Sequence, residues 1–148
     1  MPKMINPKDF NVHNFTPVKA TVAAVIEKNG KIFLTKRSPV MKKEGNKWCL
    51  PGGHIDIGET AEEAIKREVK EETRFDLRNV KFLGYQDEYI PRIKTRAVNL
   101  ILSGKPSGKN HLSNEVSEEK WFSKKQLGSI NIAFKHKEVI NKFAKKLK

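Results

Sequence analysis

Apolar and polar positions along the chain first predict a series of strands. Residues 18–26 are apolar and rich in β-branched side chains, which indicates a buried strand. Asn29-Gly30 is typical of a tight hairpin turn, so residues 31–37 are predicted to return as the partner strand. A basic loop is expected over residues 38–47, followed by a short strand within residues 48–53, where a proline and two glycines force a turn.

Two segments show helical spacing instead. Thr60 can cap the first helix together with Glu63, and the pattern continues to about Thr73. The second segment covers residues 132–147 and has a lysine-rich opposite face. The apolar faces consist of Ala61, Ala64, Ile65 and Val69 in the first segment and of Ile132, His136, Val139, Ile140, Phe143 and Leu147 in the second.

The later part of the chain adds three more predicted strands. Residues 79–90 and 95–102 are expected to pair across a turn at Pro91-Arg92, and a polar loop over residues 103–114 leads to a strand over 115–122. Strands interleaved with helices predict an α/β or α+β domain whose sheet is covered on both sides.

Length and composition limit the classes of protein to consider. A chain of 148 residues with 37% hydrophobic residues can form one core, so we expect an irregular segment over residues 1–16 and a single domain over 17–148. No apolar run approaches the ~18 residues that a membrane span needs. The N-terminus has no hydrophobic signal core, and the single cysteine, Cys49, cannot form an intrachain disulfide, so we expect a cytoplasmic protein.

The charge distribution then points to a polyanionic partner. The formal net charge is +13, which fits nucleic acid, an anionic membrane surface or a small phosphorylated ligand. Residues 53–75 nevertheless hold seven acidic and four basic side chains, a net charge of −3 that leaves +16 for the rest. Acidic side chains are therefore concentrated in one segment of a basic protein.

Three of these carboxylates share one helix face. At ~100° per residue, Glu68, Glu71 and Glu72 fall within a sector about 100° wide. Binding of divalent cations would explain why carboxylates that repel one another are placed together. Oxygen ligands of this kind suit Mg²⁺ or Mn²⁺ better than zinc. The alternative is a solvated acidic face with ordinary pairs such as Glu62–Lys66.

Residues 53–75 resemble the signature of the Nudix hydrolases, G-x5-E-x7-R-E-U-x-E-E-x-G-U, in which U is apolar. Eight of its nine specified positions agree over 23 residues: Gly53, Glu59, Arg67, Glu68, Val69, Glu71, Glu72 and Phe75. Arg74 replaces the last glycine. Since a residue of positive φ commonly closes a helix, we expect Arg74 to cause local strain of around 1 kcal/mol, or a shifted turn, and to leave the carboxylates intact.

The resemblance implies an α+β fold, an α/β/α sandwich with a mixed sheet between the signature helix and a C-terminal helix. It also implies hydrolysis of a pyrophosphate bond, with Mg²⁺ as cofactor and Mn²⁺ as a possible substitute. The implied metal ligands are Glu68, Glu71, Glu72, Glu115 and the backbone carbonyl of Gly53. Arg67 would orient the carboxylates, Glu59 would fix the loop before the helix, and the catalytic residues would be Arg67, Glu68, Glu71 and Glu115, with Glu118 and Glu119 as alternatives to Glu115.

The substrate is less closely defined by the sequence. Pro91, 16 residues after Phe75, resembles the ADP-ribose pyrophosphatase branch of the family, so we expect a nucleoside diphosphate derivative such as ADP-ribose. Arg37 is a candidate for phosphate binding, and Trp48 and Tyr89 are candidates for stacking on a base. Alternatives are a (d)NTP pyrophosphatase that sanitises the nucleotide pool, an RNA 5′-pyrophosphohydrolase, and a non-catalytic nucleotide-binding module.

The same resemblance indicates the binding partners. A small nucleotide is expected before RNA, and the resemblance is compatible with a homodimer. The amphipathic C-terminal helix is expected to pack on the sheet and not on a membrane.

Overall fold

The computed structural model describes residues 18–108 and 115–148. Eight strands and three helices occur in these ranges. The strands are β1 (Lys19–Val25), β2 (Glu27–Lys28), β3 (Lys31–Arg37), β4 (Trp48–Cys49), β5 (Gly52–His54), β6 (Asp76–Ile90), β7 (Thr95–Ser107) and β8 (Val116–Phe122). The helices are α1 (Ala61–Thr73), α2 (Lys124–Leu127) and α3 (His136–Phe143), and a 3₁₀ turn at Pro91–Ile93 joins β6 to β7.

The strands form two four-stranded sheets. The first has the order β5-β1-β7-β6, in which β1 and β7 are parallel and the other neighbours are antiparallel. In the second, β3 pairs with β2, β4 and β8, always antiparallel. The first sheet is therefore the mixed sheet that was predicted, and the hairpin partner of β1 belongs to a second sheet.

Helices α1 and α3 pack on opposite faces of the first sheet. Alternate residues of β1 point to opposite sides, so Val22 and Ala24 join the core under α1 while Ala23 and Val25 join the core under α3. The helices contribute Ala64, Ile65 and Val69 to the first core and Val139 and Ile140 to the second. The predicted α/β/α sandwich is confirmed.

Both ends of α1 follow local sequence rules. Glu63 N donates to Thr60 Oγ1 at 3.1 Å, and Thr60 N donates to Glu63 Oε2 at 3.0 Å, which completes the predicted capping box. At the other end Arg74 has φ 68° and its N–H donates to Lys70 O at 2.9 Å. Arg74 therefore closes the helix in the left-handed conformation, where glycine is preferred.

Replacing Arg74 by glycine is expected to stabilise the protein. Removing the side chain relieves the left-handed strain, so the free energy of unfolding should rise by about 1 kcal/mol in a urea titration. Lys66→Gly, an exposed substitution inside the same helix, should lower it by a similar amount. Equal destabilisation by both glycines would contradict the strain at Arg74.

Several predicted boundaries differ from the structure. The C-terminal helix covers only residues 136–143. Before it, the backbones of Asn131 and Ala133 bond to Trp48, and after it the backbone of Lys148 bonds to Gly30 and Lys124. Strand β7 continues to Ser107, since Ser107 pairs with Asp76, so part of the predicted polar loop is a strand. Residues 48–53 contain two strands in different sheets, because the chain changes sheet at Leu50-Pro51.

Two predictions fall wholly or partly outside the described residues. These are the irregular segment over residues 1–16 and residues 109–114 of the predicted polar loop. In the part of the chain that the structure describes, no helix has the length and apolar character of a membrane span.

Candidate active site

A cavity of about 440 Å³ lies against the first sheet and brings opposite charges together. Its described lining includes residues of both sheets, of α1 and of the segment before α3. The acidic members are Glu68, Glu72, Glu88 and Glu115, and the basic members are Lys19, Arg37, Lys43, Lys94 and Arg96. A cavity of this size with carboxylates and cations can accommodate an anionic ligand of small-nucleotide size.

Glycine at position 53 allows the Glu68 side chain to lie against strand β5. A Cβ built on Gly53 would lie 2.6 Å from Glu68 Cδ, closer than real Cβ atoms approach other atoms. A Cβ on Gly52 would overlap the carbonyl oxygen of Val22 on β1. Both glycines of the WCLPGG segment are therefore required by close packing, the first against β1 and the second against the carboxylate.

Arg67 connects the carboxylates of the signature. Its Nη1 donates to Glu68 Oε1 at 2.9 Å and to Glu71 Oε2 at 3.3 Å, and its Nη2 donates to the backbone oxygen of His54 at 2.9 Å. Its Nε and Nη2 also donate to the two oxygens of Glu59, at 3.0 and 2.6 Å. A planar guanidinium can hold several acceptors in fixed directions, which an ammonium group cannot.

Glu59 fixes the junction between β5 and α1. Besides its two bonds from Arg67, its Oε1 accepts a hydrogen bond from Asp56 N at 2.7 Å. The bonds from Arg67, and next that from Asp56, lower the pKa of Glu59 to about 2. Glu59 is absent from the described lining of the cavity, and its positioning role stays a prediction.

The acidic end of the cavity consists of Glu68, Glu72 and Glu115. Burial, and next the charge of Glu68, raises the pKa of Glu72 well above its ordinary value. Burial also raises the pKa of Glu68, against the opposing effect of Arg67. The charge of Glu115 acts in the same direction on both. Glu115 thus lines the same cavity as Glu68 and Glu72 although it is distant in the chain, and its contribution to catalysis stays a prediction.

Glu71 has a different environment. Its side chain is 60% exposed, pairs with Arg67 and is not among the residues that line the cavity. Across residues 18–108 and 115–148, no three His, Cys, Asp or Glu side chains are close enough together to hold a metal ion unaided. The structure thus brings Gly53, Glu68, Glu72 and Glu115 to one cavity and places Glu71 on its outer side.

The three predicted substrate-binding residues have unequal positions. Arg37 lines the cavity, where its guanidinium lies 5.0 Å from the centre of the Phe134 ring. Trp48 packs edge-on against Phe122, with 4.8 Å between ring centres, and Tyr89 is 66% exposed. Neither of these two aromatic residues is part of the described lining. The cavity therefore includes Arg37 and presents Phe134 as an aromatic surface.

Glu44 is a structural residue of the site that the sequence analysis missed. Its side chain is only 1% exposed, and it accepts hydrogen bonds from Arg92 Nη1 at 2.6 Å, from Lys47 Nζ at 3.1 Å and from Phe134 N at 3.2 Å. Although burial opposes the change, the bonds from Arg92 and Lys47 lower the pKa of Glu44 to about 2. The only feature of the sequence that could have indicated this role is that Glu44 is an acidic residue within the basic loop 38–47.

Comparison with known proteins establishes the family. The sequence model of a protein family, described as the NUDIX domain, matches residues 16–143 of the chain. The chain belongs to the Nudix family. This Nudix protein is 31% identical over 146 residues to an ADP-ribose pyrophosphatase of Methanocaldococcus jannaschii, covering 95% of the chain and 82% of that relative. Other curated relatives are matched over 28% to 66% of their own length.

Solved structures show the same fold. A MutT NUDIX hydrolase from Burkholderia pseudomallei superposes with a TM-score of 0.76 at 23% identity, covering 86% of this chain and 98% of that chain. The NUDIX domain of Shewanella oneidensis NrtR, solved with ADP-ribose, gives 0.75 at 22% identity, with 91% and 92% coverage. The family and its pyrophosphatase relatives identify this chain as a Nudix hydrolase that acts on pyrophosphate bonds.

Proposed function

We propose that this Nudix hydrolase cleaves the pyrophosphate bond of ADP-ribose or a closely related nucleoside diphosphate derivative, with Mg²⁺ as its cofactor. The observation that carries the proposal is the cavity in which Glu68, Glu72 and Glu115 face five cationic side chains. Carboxylates alone would repel a diphosphate, whereas carboxylates that hold a divalent cation and are flanked by lysine and arginine attract it.

The oxygen donors at the acidic end are of the type that a hard divalent cation binds, and the three carboxylates would have to draw together around it. Glu68, Glu72, Glu115 and the carbonyl oxygen of Gly53 would hold it, with Glu71 as a further ligand, and water would complete the set of oxygen donors. When bound, Mg²⁺ neutralises phosphate charge and lowers the pKa of a bound water. The raised pKa of Glu72 supports this choice, since a bound cation would stabilise the ionised form of a buried carboxylate.

The side chains of the chain itself then have separate tasks. Arg67 holds Glu68 in one orientation through the bond to Oε1, and Glu59 holds Arg67. Glu115 has no side-chain hydrogen bond among the described residues, so it is the proposed acceptor for the proton of the attacking water. Arg37 and Lys43 line the same cavity and are proposed to bind the phosphate oxygens.

The choice of ADP-ribose is supported by the relative from M. jannaschii, which matches along 95% of the chain. Nucleoside triphosphates and 5′-triphosphorylated RNA are the alternatives to be tested beside it. RNA requires contacts along its backbone, so its binding should weaken steeply with added salt, whereas turnover of a small nucleotide should change less.

The test is a substrate panel with Mg²⁺, analysed by chromatography of the products. ADP-ribose, sugar nucleotides, NADH, dinucleoside polyphosphates, nucleoside triphosphates and 5′-triphosphorylated RNA are incubated with the wild-type protein. We expect AMP and ribose 5-phosphate from ADP-ribose at the highest kcat/KM. Glu62→Gln, an exposed change on the same helix as the carboxylates, should leave this rate unchanged.

The outcomes separate the alternatives. If kcat/KM is higher for a nucleoside triphosphate or for RNA than for ADP-ribose, the protein is still a hydrolase but its substrate is a different one. Tight binding of a nucleotide without any released product would contradict hydrolysis and favour a nucleotide-binding module.

A further inference from the structure

A row of polar side chains on the floor of the cavity has no task in the hydrolysis proposed above. Thr21, Asn99 and Glu88 lie on β1, β7 and β6 of the first sheet, and all three line the cavity. Thr21 Oγ1 donates to Asn99 Oδ1 at 3.1 Å, and Asn99 Nδ2 donates to Glu88 Oε1 at 3.2 Å. Since both ends of the Asn99 amide are engaged, Glu88 is held in one orientation as an acceptor.

His136 lies beside Glu88 on the α3 side of the sheet. His136 Nδ1 accepts a hydrogen bond from Leu50 N at 3.0 Å, so the proton of the neutral ring is on Nε2, which faces Glu88 Oε1 at 3.6 Å. Burial, and next the charge of Arg37, lowers the pKa of His136 to about 3, so the ring is neutral. Both neighbours therefore approach Oε1, and Oε2 has no partner among the described residues although the Glu88 side chain is only 6% exposed.

The position of Glu88 suits the base of a nucleotide. Gly53 lies on β5 at one edge of the first sheet, level with Tyr85 on β6 at the other edge, and Glu88 lies three residues further along β6. Gly53 and Glu88 are therefore about 17 Å apart along the sheet. An extended nucleoside diphosphate separates its phosphates from its base over a comparable distance. Phe134 also lines the cavity, and its ring centre lies 5.4 Å from the His136 ring and 5.0 Å from the Arg37 guanidinium, so it adds aromatic surface near His136.

We propose that Glu88 selects adenine by accepting a hydrogen bond from its exocyclic amino group through Oε2. The proposal rests on the proposed function, because it places a nucleotide in this cavity with its phosphates at the acidic end. A ribose diol would engage both oxygens of a carboxylate, whereas Oε1 is already occupied here. Burial raises the pKa of Glu88 to about 7 against the bond from Asn99 and the charge of Lys135, so an N–H donor from a ligand would further stabilise the ionised form.

The experiment compares AMP with IMP, which has a carbonyl group where adenine has the amino group. Binding to the full chain with Mg²⁺ is measured by calorimetry, and hydrolysis of ADP-ribose is compared with that of its inosine analogue. Wild type should prefer the adenine compounds by roughly tenfold or more, since a carbonyl facing the carboxylate leaves both acceptors unpaired.

Glu88→Gln should reverse this preference. Asn99 Nδ2 still requires an acceptor, so the amide oxygen should occupy the place of Oε1 and the amide nitrogen should face the cavity. That nitrogen can donate to the carbonyl of hypoxanthine. Asp76→Asn, a neutralised carboxylate at the far end of the same strand, should keep the wild-type preference.

Each result decides between the two proposals. Equal binding of AMP and IMP by wild type would overturn the role of Glu88 without any variant, even if ADP-ribose is hydrolysed. An unchanged preference for AMP over IMP in a folded Glu88→Gln protein would overturn it as well. A third contradicting result would be that wild type binds AMP more tightly than 2′-deoxy-AMP and Glu88→Gln binds both equally, because this would assign Glu88 to the ribose. Preference for AMP without hydrolysis of ADP-ribose would contradict the proposed function alone.

Discussion

Glu72→Gln is expected to stop hydrolysis and, in the same protein, to raise the stability of the metal-free fold. The Glu72 carboxylate is buried beside Glu68, so its ionised form is unfavourable unless a cation is bound. Glutamine keeps the shape and removes the charge. The rate with ADP-ribose and Mg²⁺ should fall at least about 100-fold, while the metal-free protein should gain at least about 1 kcal/mol, or roughly 4 °C in Tm.

The stability difference between Glu72→Gln and wild type should depend on pH. A carboxyl group whose pKa is raised by folding favours the folded state while it is protonated, and this contribution is lost as pH rises from the ordinary value of 4.5 through the raised value. The Tm difference between variant and wild type should therefore be large at pH 7.5 and small near pH 4. Mg²⁺ should raise the Tm of wild type more than that of the variant. A variant less stable than metal-free wild type at pH 7.5 would contradict this account.

Gly53→Ala should abolish activity through one methyl group. The backbone of Gly53 does not have positive φ, so alanine is conformationally allowed there. Its Cβ would overlap the Glu68 carboxylate, which must then leave its position beside β5 and its bond to Arg67. We expect kcat to fall by about 100-fold or more, since displacing a catalytic group by about 1 Å has effects of this size.

Gly128→Ala is the matched control for this change. Gly128 has an ordinary helical conformation and an added Cβ would lie 3.7 Å from Lys125 O, in normal contact. Both proteins should melt cooperatively, and only Gly53→Ala should lose activity in a steady-state assay with ADP-ribose. Full activity of Gly53→Ala would mean that the Glu68 carboxylate can act from another position.

The signature helix could be predicted because its determinants are local. The capping box at Thr60 and Glu63, the apolar stripe and the left-handed Arg74 all depend on residues within a few turns of one another. The role of Arg67 was predicted from the resemblance to the Nudix signature, and the structure pairs Arg67 with Glu68 and with Glu71 four residues later.

The rest of the site depends on partners far apart in the chain. Glu44 meets Arg92 and Phe134 across 48 and 90 residues, and Leu50 meets His136 across 86. The spacing of apolar and polar residues along the chain does not indicate such contacts. The division of residues 48–53 between two sheets has the same origin, because strand pairing with β1 and β3 decides it. Trp48 was a candidate for base stacking, yet β8, which pairs with β3 and not with the strand of Trp48, supplies Phe122 as its partner.

The three contacts of Glu44 also bear on the order in which the molecule assembles. The basic loop, the turn before β7 and the segment before α3 are far apart in sequence, and closing such long loops is entropically costly. The sheets can pair before this carboxylate meets its donors, so the contacts of Glu44 with Arg92 and Phe134 are expected to form late in folding. Protonation of Glu44 removes its stabilising contribution as pH falls from 4.5 towards 2, so these contacts should also be among the first to open in acid.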